Sequence, residues 1–183
     1  MSEMLNFDLI NLPNVEGKIC LSAFPGRCGK NEFSYNRMET FFNYLENNRF
    51  AILVSLTEES EFDQFLPKGH FLERLNQRSF DWRHHPIKDM TPPDSEFLLN
   101  FSSTHSELVN AVRSGFGIAI HCKGGLGRSG TIAALLLRNF GFSSQQAIQT
   151  VRKTRPGSIE TKEQELFLLS FNNNDCFLSS KIS

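Results

Sequence analysis

The segment from His121 to Gly130 reads HCKGGLGRSG and holds the residues best suited to chemistry in this 183-residue chain. It joins a buried-strand pattern to a helix pattern. Its four glycines would let the backbone turn sharply and point successive N–H groups into one concavity. The positive N-terminal end of the following helix would add to the same place. The segment is therefore predicted to bind a tetrahedral anion such as phosphate.

A thiol and a guanidinium lie at the two ends of this loop. The N–H groups, the helix dipole and the guanidinium should all favour the thiolate form of Cys122, which is the nucleophile. Arg128 follows six positions later, and its planar fork suits two oxygens of a phosphoryl group. Ser129 is placed to donate a hydrogen bond to the Cys122 sulfur when the sulfur leaves. Each residue alone has a plain structural explanation, but together they indicate nucleophilic catalysis on phosphate.

The main chain of the loop is expected to surround the phosphate. His121 lies one residue inward, so we expect it to orient the loop from below rather than to act as the nucleophile. The residues predicted to bind the substrate are Lys123, Gly124, Gly125, Leu126, Gly127 and Arg128.

Residues 121–129 match HCxxGxxR[ST], the signature of the protein tyrosine and dual-specificity phosphatase superfamily, and the chain resembles that superfamily over residues 17–170. The resemblance implies hydrolysis of phosphate monoesters through a phosphocysteine intermediate, by a fold with helices around a central sheet. Similarity to the kinase-associated phosphatase family is carried by ICLSAFPG (19–26), HHPIKDMTPPD (84–94) and GSIETKEQ (157–164), and similarity to the mitotic-exit dual-specificity phosphatases by Lys123, Leu126 and RPGS (155–158).

Expulsion of a Ser, Thr or Tyr oxygen requires a proton donor. The resemblance implies an aspartate from a loop well before the cysteine, and Asp89, 33 positions before Cys122, matches that position. Asp94 is the alternative, although it also suits a capping box with Thr91 as the N-cap. The segment around Asp89 lacks the Trp-Pro-Asp sequence of the classical tyrosine phosphatases, and this absence indicates the dual-specificity branch. The resemblance also implies that Gln164 positions the hydrolytic water, and the alternative is an exposed polar residue on a helix.

Two further features have competing explanations. Cys20 is either a small core residue or, if the fold brings it near the catalytic loop, a thiol that traps oxidised Cys122 as a disulfide. Arg152, Lys153 and Arg155 are either a docking site for an acidic or phosphorylated surface or a solvated face at a helix end.

The fold is predicted to be α/β, with a central, mostly parallel sheet flanked by helices. We expect a single domain over residues 1–183, with its core at about 7–171 and a flexible tail at 172–183. Strands alternate with helices, and the strand before Cys122 would present the loop at its carboxyl end. The predicted strands are 17–23, 50–56, 80–87 and 116–121, and the predicted helices are 35–47, 69–77, 92–113, 131–139, one capped by Ser143 or Ser144, and 161–171.

Composition limits the partners. The net charge of −1 gives no general attraction to nucleic acid or to an anionic membrane. The chain shows no targeting or membrane-spanning pattern, and its four scattered cysteines indicate reduced thiols, so an intracellular, cytoplasmic monomer is expected. The expected partner is a phosphoprotein, with a kinase as one candidate, and no cofactor or metal is expected. The alternatives are a phosphoinositide phosphatase and a phosphate-binding pseudophosphatase adaptor.

Overall fold

A five-stranded sheet organises the fold in the computed structural model, which describes residues 6–30 and 32–171. The predicted flexible tail at 172–183 lies outside the described residues. The strands are β1 (Phe7–Asn11), β2 (Lys18–Ser22), β3 (Phe50–Ser55), β4 (Asp81–His84) and β5 (Gly117–His121). The helices are α1 (Tyr35–Asn47), α2 (Glu59–Phe62), α3 (His70–Leu75), α4 (Ser95–Arg113), α5 (Gly127–Leu137), α6 (Ser144–Thr154) and α7 (Lys162–Ser170).

The sheet order is β1-β2-β5-β3-β4, with β1 antiparallel to β2 and the other pairs parallel. The most buried strand, β5, lies in the middle. Its last residue, His121, is opposite Ser22 of β2 and Ser55 of β3. The carboxyl ends of three strands therefore meet where the HCKGGLGRSG segment begins.

Alternation along the strands divides the core into two layers. Residues of β5 such as Ile118 and Ile120 join one apolar cluster with α4, α5, α6 and α7, whereas Ala119 joins the other with α1 and α3. Successive side chains of a strand point to opposite faces, so this division places helices on both faces of the sheet. The predicted α/β fold class is confirmed.

Several helix boundaries agree with the sequence predictions. The helix α1 runs over the predicted residues, and Ser143 caps α6 in a capping box with Gln146. The prediction that Thr91 caps the next helix is wrong. Asp94 is the N-cap of α4 and accepts a hydrogen bond of 2.8 Å from the Phe97 N–H. Two consecutive prolines before Asp94 keep the preceding chain extended, which delays the helix.

Two elements were not predicted, and one helix begins earlier than predicted. The edge strand β1 and the one-turn helix α2 are both short, and neither has a distinctive apolar period. The helix α5 begins at Gly127 rather than at Thr131, so Arg128 and Ser129 lie in its first turn. The low helix propensity of glycine concealed this start.

Candidate active site

Residues 122–128, which we call the phosphate loop, run from the end of β5 into the first turn of α5. The loop begins at Cys122, whose side chain is almost fully buried. Cys122 is 2% exposed. Its Sγ accepts a hydrogen bond of 3.2 Å from the Gly125 N–H and lies 3.5 Å from the Ser129 hydroxyl. Gly125 has a φ of 74°, in the region that favours glycine, and an added Cβ would lie 2.4 Å from the Ser22 backbone. The tight turn at Gly125 is therefore what brings its N–H to the sulfur.

The carbonyls of the phosphate loop are held from outside by donors of the surrounding structure. The Lys123 carbonyl accepts hydrogen bonds from the Arg27 guanidinium at 2.8 Å and the Phe24 N–H at 3.2 Å. The Leu126 carbonyl accepts N–H bonds from Gly130 at 3.1 Å and Ile159 at 3.2 Å. In a planar trans peptide the N–H points opposite to the C=O. Outward carbonyls therefore turn the following N–H groups toward the centre of the loop.

Arg155 holds the remaining side of the loop. Its guanidinium donates to the Gly125 carbonyl at 2.7 Å and to the Gly124 carbonyl at 3.5 Å. The same group contacts Asp8 at 2.6 Å and Asn6 at 2.9 Å, which ties the phosphate loop to the edge strand β1. A group held on both sides in this way is a structural brace for the loop.

Arg155 was predicted to belong to a docking site or to a solvated face, and for Arg155 both predictions are wrong. Arg155 is 7% exposed. Arg152 also bonds within the fold, to the Ser158 and Ile159 carbonyls and to Glu165. Of the three side chains, Lys153 alone is exposed.

The guanidinium of Arg128 forms a bidentate ion pair with Glu61 of α2. The N···O distances are 2.5 and 2.9 Å, and the side chains are 2% and 6% exposed. Burial raises the pKa of Glu61, but hydrogen bonds from Arg128 and the Glu58 N–H and the charges of Arg128 and Lys123 outweigh it, so the pKa is lowered. Burial disfavours the charged form of Arg128, but Glu61 again outweighs this effect and raises its pKa. Both groups therefore stay ionised, and Glu61 fixes the charged guanidinium of Arg128 beside the phosphate loop.

Asp89 faces the same guanidinium from the segment between β4 and α4, residues 85–94, which we call the acid loop. Its Oδ1 lies 2.9 Å from Nη2 of Arg128, and its side chain is 52% exposed. Nη1 of Arg128 also donates to the Ile87 carbonyl at 3.1 Å. Among the described residues, Nε of Arg128 has no hydrogen-bond partner. An anion in the loop would take Nε and would replace Asp89 at Nη2.

His121 is fully buried behind the loop. Its Nε2 lies 2.5 Å from the Ser55 hydroxyl, and its Nδ1 faces the Cys122 carbonyl at 3.5 Å. Burial, as the leading cause, lowers the pKa of His121 to about 3. The ring is therefore neutral at any pH at which the protein would work, and it serves as a fixed support.

Gln164 connects the acid loop to the phosphate loop. It is fully buried, so the alternative of an exposed helical residue is wrong. Its amide donates to the Thr91 carbonyl at 3.2 Å and accepts from the Thr161 N–H at 3.3 Å. An added Cβ on Gly127 would lie 3.0 Å from its amide nitrogen. The amide thus lies between the two loops, and Asp94, the alternative acid, is used as a helix cap.

Cys20 does not reach Cys122. It lies on β2 opposite Ala119, three positions before Cys122, and its side chain packs in the other core layer. Three residues of strand span about 10 Å, whereas a disulfide needs Cα atoms within about 7 Å. Burial raises the pKa of the Cys20 thiol, which makes it inert. The prediction of a redox trap is wrong, and Cys20 is a core residue.

Sequence reasoning missed Glu61, Ser55 and the bracing role of Arg155. Glu61 is one of four acidic residues at 58–63, and nothing in its spacing singles it out.

Within the part of the chain that is described, no helix is long and apolar enough to cross a membrane.

Comparison with known proteins gives consistent results. Residues 33–168 match the family described as "Swiss Army Knife protein, DSP-PTPase phosphatase domain". The chain is 26% identical over 153 residues to the tyrosine-protein phosphatase cdc-14 of Caenorhabditis elegans, covering 82% of this chain and 20% of that protein. It is 35% identical over 118 residues to cyclin-dependent kinase inhibitor 3 of Rattus norvegicus, covering 62% of this chain and 54% of that protein.

Solved structures agree with this assignment. The crystal structure of kinase-associated phosphatase, with its catalytic-site cysteine replaced by serine, superposes with a TM-score of 0.76 at 25% identity and covers 92% of this chain and 94% of that one. The active form of Tk-PTP has a TM-score of 0.62 at 32% identity and covers 86% and 96%. The family match extends over most of the sequence, and it includes the phosphate loop, the pair of Arg128 and Glu61, and Asp89. The chain belongs to the cysteine-based dual-specificity and tyrosine phosphatase family.

Proposed function

We propose that the chain is a protein phosphatase of dual-specificity type that works through a phosphocysteine on Cys122. The observation that supports this proposal most strongly is that three groups meet at the phosphate loop. They are the Cys122 sulfur, the buried guanidinium of Arg128 and the carboxylate of Asp89. The Gly125 N–H already donates to the Cys122 sulfur in this arrangement.

In the first step the thiolate of Cys122 attacks phosphorus, and the bond from phosphorus to the ester oxygen breaks. The leaving oxygen takes a proton from the carboxylic acid of Asp89. Arg128 holds two phosphoryl oxygens through Nε and Nη2, and the inward N–H groups of residues 123–127 bind the others. Asp89 must release Nη2 as phosphate arrives and take up a proton from solvent, so that its carboxylic acid can move toward the leaving oxygen.

In the second step a water molecule attacks phosphorus, and the bond from phosphorus to sulfur breaks. Asp89, now a carboxylate, accepts the proton from the water. Ser129, 3.5 Å from the sulfur, donates a hydrogen bond to the departing thiolate. Gln164 lies between the acid loop and the start of α5, where its amide would orient the attacking water.

The substrate is proposed to be a phosphoprotein, because the family match is to a DSP-PTPase phosphatase domain and the nematode relative is named a tyrosine-protein phosphatase. The name of the rat relative refers to a cyclin-dependent kinase, which makes a phosphorylated kinase one candidate substrate. Lys123 is the one lysine of the phosphate loop, so the loop lacks a second lysine for a polyphosphorylated headgroup. A single-domain monomer stays the prediction for the assembly.

The test is hydrolysis of phospho-Tyr, phospho-Thr and phospho-Ser peptides beside phosphoinositides by the wild type, Cys122→Ser, Asp89→Asn and Asp94→Asn. We expect peptide turnover that Cys122→Ser abolishes and that Asp89→Asn slows by about 10²–10⁴-fold. Asp94→Asn is the matched control, because asparagine caps a helix as well as aspartate does. Turnover confined to phosphoinositides would contradict the substrate class, and activity of the Cys122→Ser protein would contradict the mechanism.

A further inference from the structure

Three side chains on neighbouring strands form a hydrogen-bonded series that ends at the nucleophile. The indole N–H of Trp82, on the edge strand β4, donates to the Ser55 hydroxyl at 2.8 Å. The Ser55 oxygen lies 2.5 Å from Nε2 of His121, and Nδ1 of that ring faces the Cys122 carbonyl. Ser55 is opposite both His84 of β4 and His121 of β5, so the series crosses the sheet at its carboxyl end.

The direction of each hydrogen bond follows from the donors available. An indole nitrogen only donates, so the Ser55 oxygen accepts from Trp82. Ser55 is fully buried, and its hydroxyl has no other partner within residues 6–30 and 32–171. The hydroxyl proton must therefore go to Nε2 of His121, because a buried donor without an acceptor is costly. The neutral ring then carries its own proton on Nδ1, the nitrogen that faces the Cys122 carbonyl.

The Nδ1 proton of His121 acts on the phosphate loop through the Cys122 carbonyl. When Nδ1–H holds the Cys122 carbonyl, the planar peptide turns the Lys123 N–H in the opposite direction, into the loop. The other tautomer would place a lone pair against that carbonyl and would repel it. On the basis of the proposed function, we propose that Trp82 and Ser55 are positioning residues that fix the Nδ1–H tautomer of His121 and thereby orient the Cys122–Lys123 peptide.

The aromatic rings packed against His121 offer its ring nitrogens no other hydrogen-bond partner. The rings of Phe24 and Phe71 pack against it at 5.4 and 5.9 Å and offer no acceptor. The charged or titratable groups that act on the ring are His84 and Arg128, and both disfavour its protonation. His84 stacks on Trp82 at 5.5 Å and donates from Nε2 to the Thr57 carbonyl at 2.8 Å, so it also steadies the indole. Within the described residues, the tautomer is thus set by the Ser55 hydroxyl at Nε2 together with the Cys122 carbonyl at Nδ1.

The tautomer is measured directly by long-range ¹H–¹⁵N correlation of His121 in the ligand-free protein, which requires no catalysis. We expect the Nδ1–H form in the wild type and in Ser55→Thr, which keeps the hydroxyl. Ser55→Ala should give the Nε2–H form or a mixture, and Trp82→Phe, which keeps a ring but removes the N–H, should give a mixture. An Nε2–H form in the wild type would overturn the inference.

The effect on the loop is measured by the rate of Cys122 alkylation by iodoacetamide at mildly acidic pH, read by mass spectrometry, together with kcat/KM for 4-nitrophenyl phosphate. The loss of one hydrogen bond predicts a decrease of about three- to tenfold in both for Trp82→Phe and Ser55→Ala, with Ser55→Thr restoring most of it. The double variant should be no slower than Ser55→Ala, because both residues act through one route.

Phe71→Leu is the matched control, since Phe71 packs on the rings of both Trp82 and His121 but forms no hydrogen bond with its side chain. Its alkylation rate and its kcat/KM should stay within about twofold of the wild-type values, which is less than the loss of one hydrogen bond would cause. Equal losses in Phe71→Leu and Trp82→Phe would overturn the inference in favour of packing. Wild-type protein that shows the Nδ1–H tautomer but turns over no phosphate monoester would contradict the proposed function alone.

Discussion

The guanidinium of Arg128 and the carboxylate of Glu61 are joined by two hydrogen bonds of 2.5 and 2.9 Å beneath the phosphate loop. Glu61 uses the Nη1 and Nη2 side of the fork, and Asp89 shares Nη2. Within the described residues, Nε–H has no partner and is left for a phosphate ligand. The pair thus fixes the orientation of Arg128 before phosphate arrives, so the arginine itself needs little rearrangement on binding.

Removal of the Glu61 charge should destabilise the fold. Glu61→Gln leaves the buried Arg128 with Asp89 as its one carboxylate, and loss of one partner of a buried pair costs about 3–5 kcal/mol. We expect a loss near the lower figure in the free energy of unfolding, measured by urea denaturation at neutral pH. Glu59→Gln, an exposed neighbour on α2, is the control and should change stability little. Equal effects of the two substitutions would contradict the structural role of the pair.

The ionisation of Glu61 should also make the stability of the fold depend on pH. The folded pKa of Glu61 is lowered, so its contribution is complete above the unfolded pKa of about 4.3 and is lost as pH falls through the folded pKa. Unfolding free energies measured at successive acidic pH values should therefore fall less steeply in Glu61→Gln than in the wild type. Parallel curves for the two proteins would show that Glu61 titrates normally in the folded state.

Arg155 should control anion affinity without taking part in chemistry. Arg155→Lys keeps the charge but loses the fork that binds the Gly125 carbonyl and Asp8 together. We expect phosphate and tungstate to inhibit about tenfold more weakly, the effect of one charge-assisted hydrogen bond, as measured by competitive inhibition constants. Lys153→Ala, in the exposed part of the same basic run, should leave these constants unchanged. An unchanged constant in Arg155→Lys would show that the loop holds its shape without the brace.

Gln164 should affect the second chemical step more than the first. In Gln164→Ala the attacking water loses its proposed orienting amide, so phosphocysteine should accumulate and kcat should fall about tenfold or more. Rapid-mixing experiments with 4-nitrophenyl phosphate should then show a burst of nitrophenol close to one equivalent. Glu163→Ala, at the exposed neighbouring position, should show wild-type kinetics. A slowed burst phase in Gln164→Ala would instead indicate a role in the first step.

The structural features that the sequence could predict are local. The strand-to-helix loop with Cys122 and Arg128 is one continuous segment, and the apolar spacing of α1 reports its own helix. Gly127 and Thr91 show the limit of local rules, since a glycine begins one helix and two prolines delay another.

The parts that sequence could not predict depend on contacts between distant segments. Glu61 is 67 positions from Arg128, and Asp8 is 147 positions from Arg155. Their pairing follows from the order of the strands, which brings β1, β2, β3 and β5 together at one end of the sheet. A single acidic residue in a polar segment has no feature in the sequence that reveals such a partner.

The most direct test of the central claim is detection of the covalent intermediate. Wild-type protein and Gln164→Ala would be mixed with a phosphopeptide, quenched rapidly in acid and digested, and the peptide containing Cys122 would be examined by mass spectrometry. We expect one added phosphoryl group on Cys122, more abundant in Gln164→Ala, and none in Cys122→Ser. Full turnover with no phosphoryl group on Cys122 at any time would contradict it.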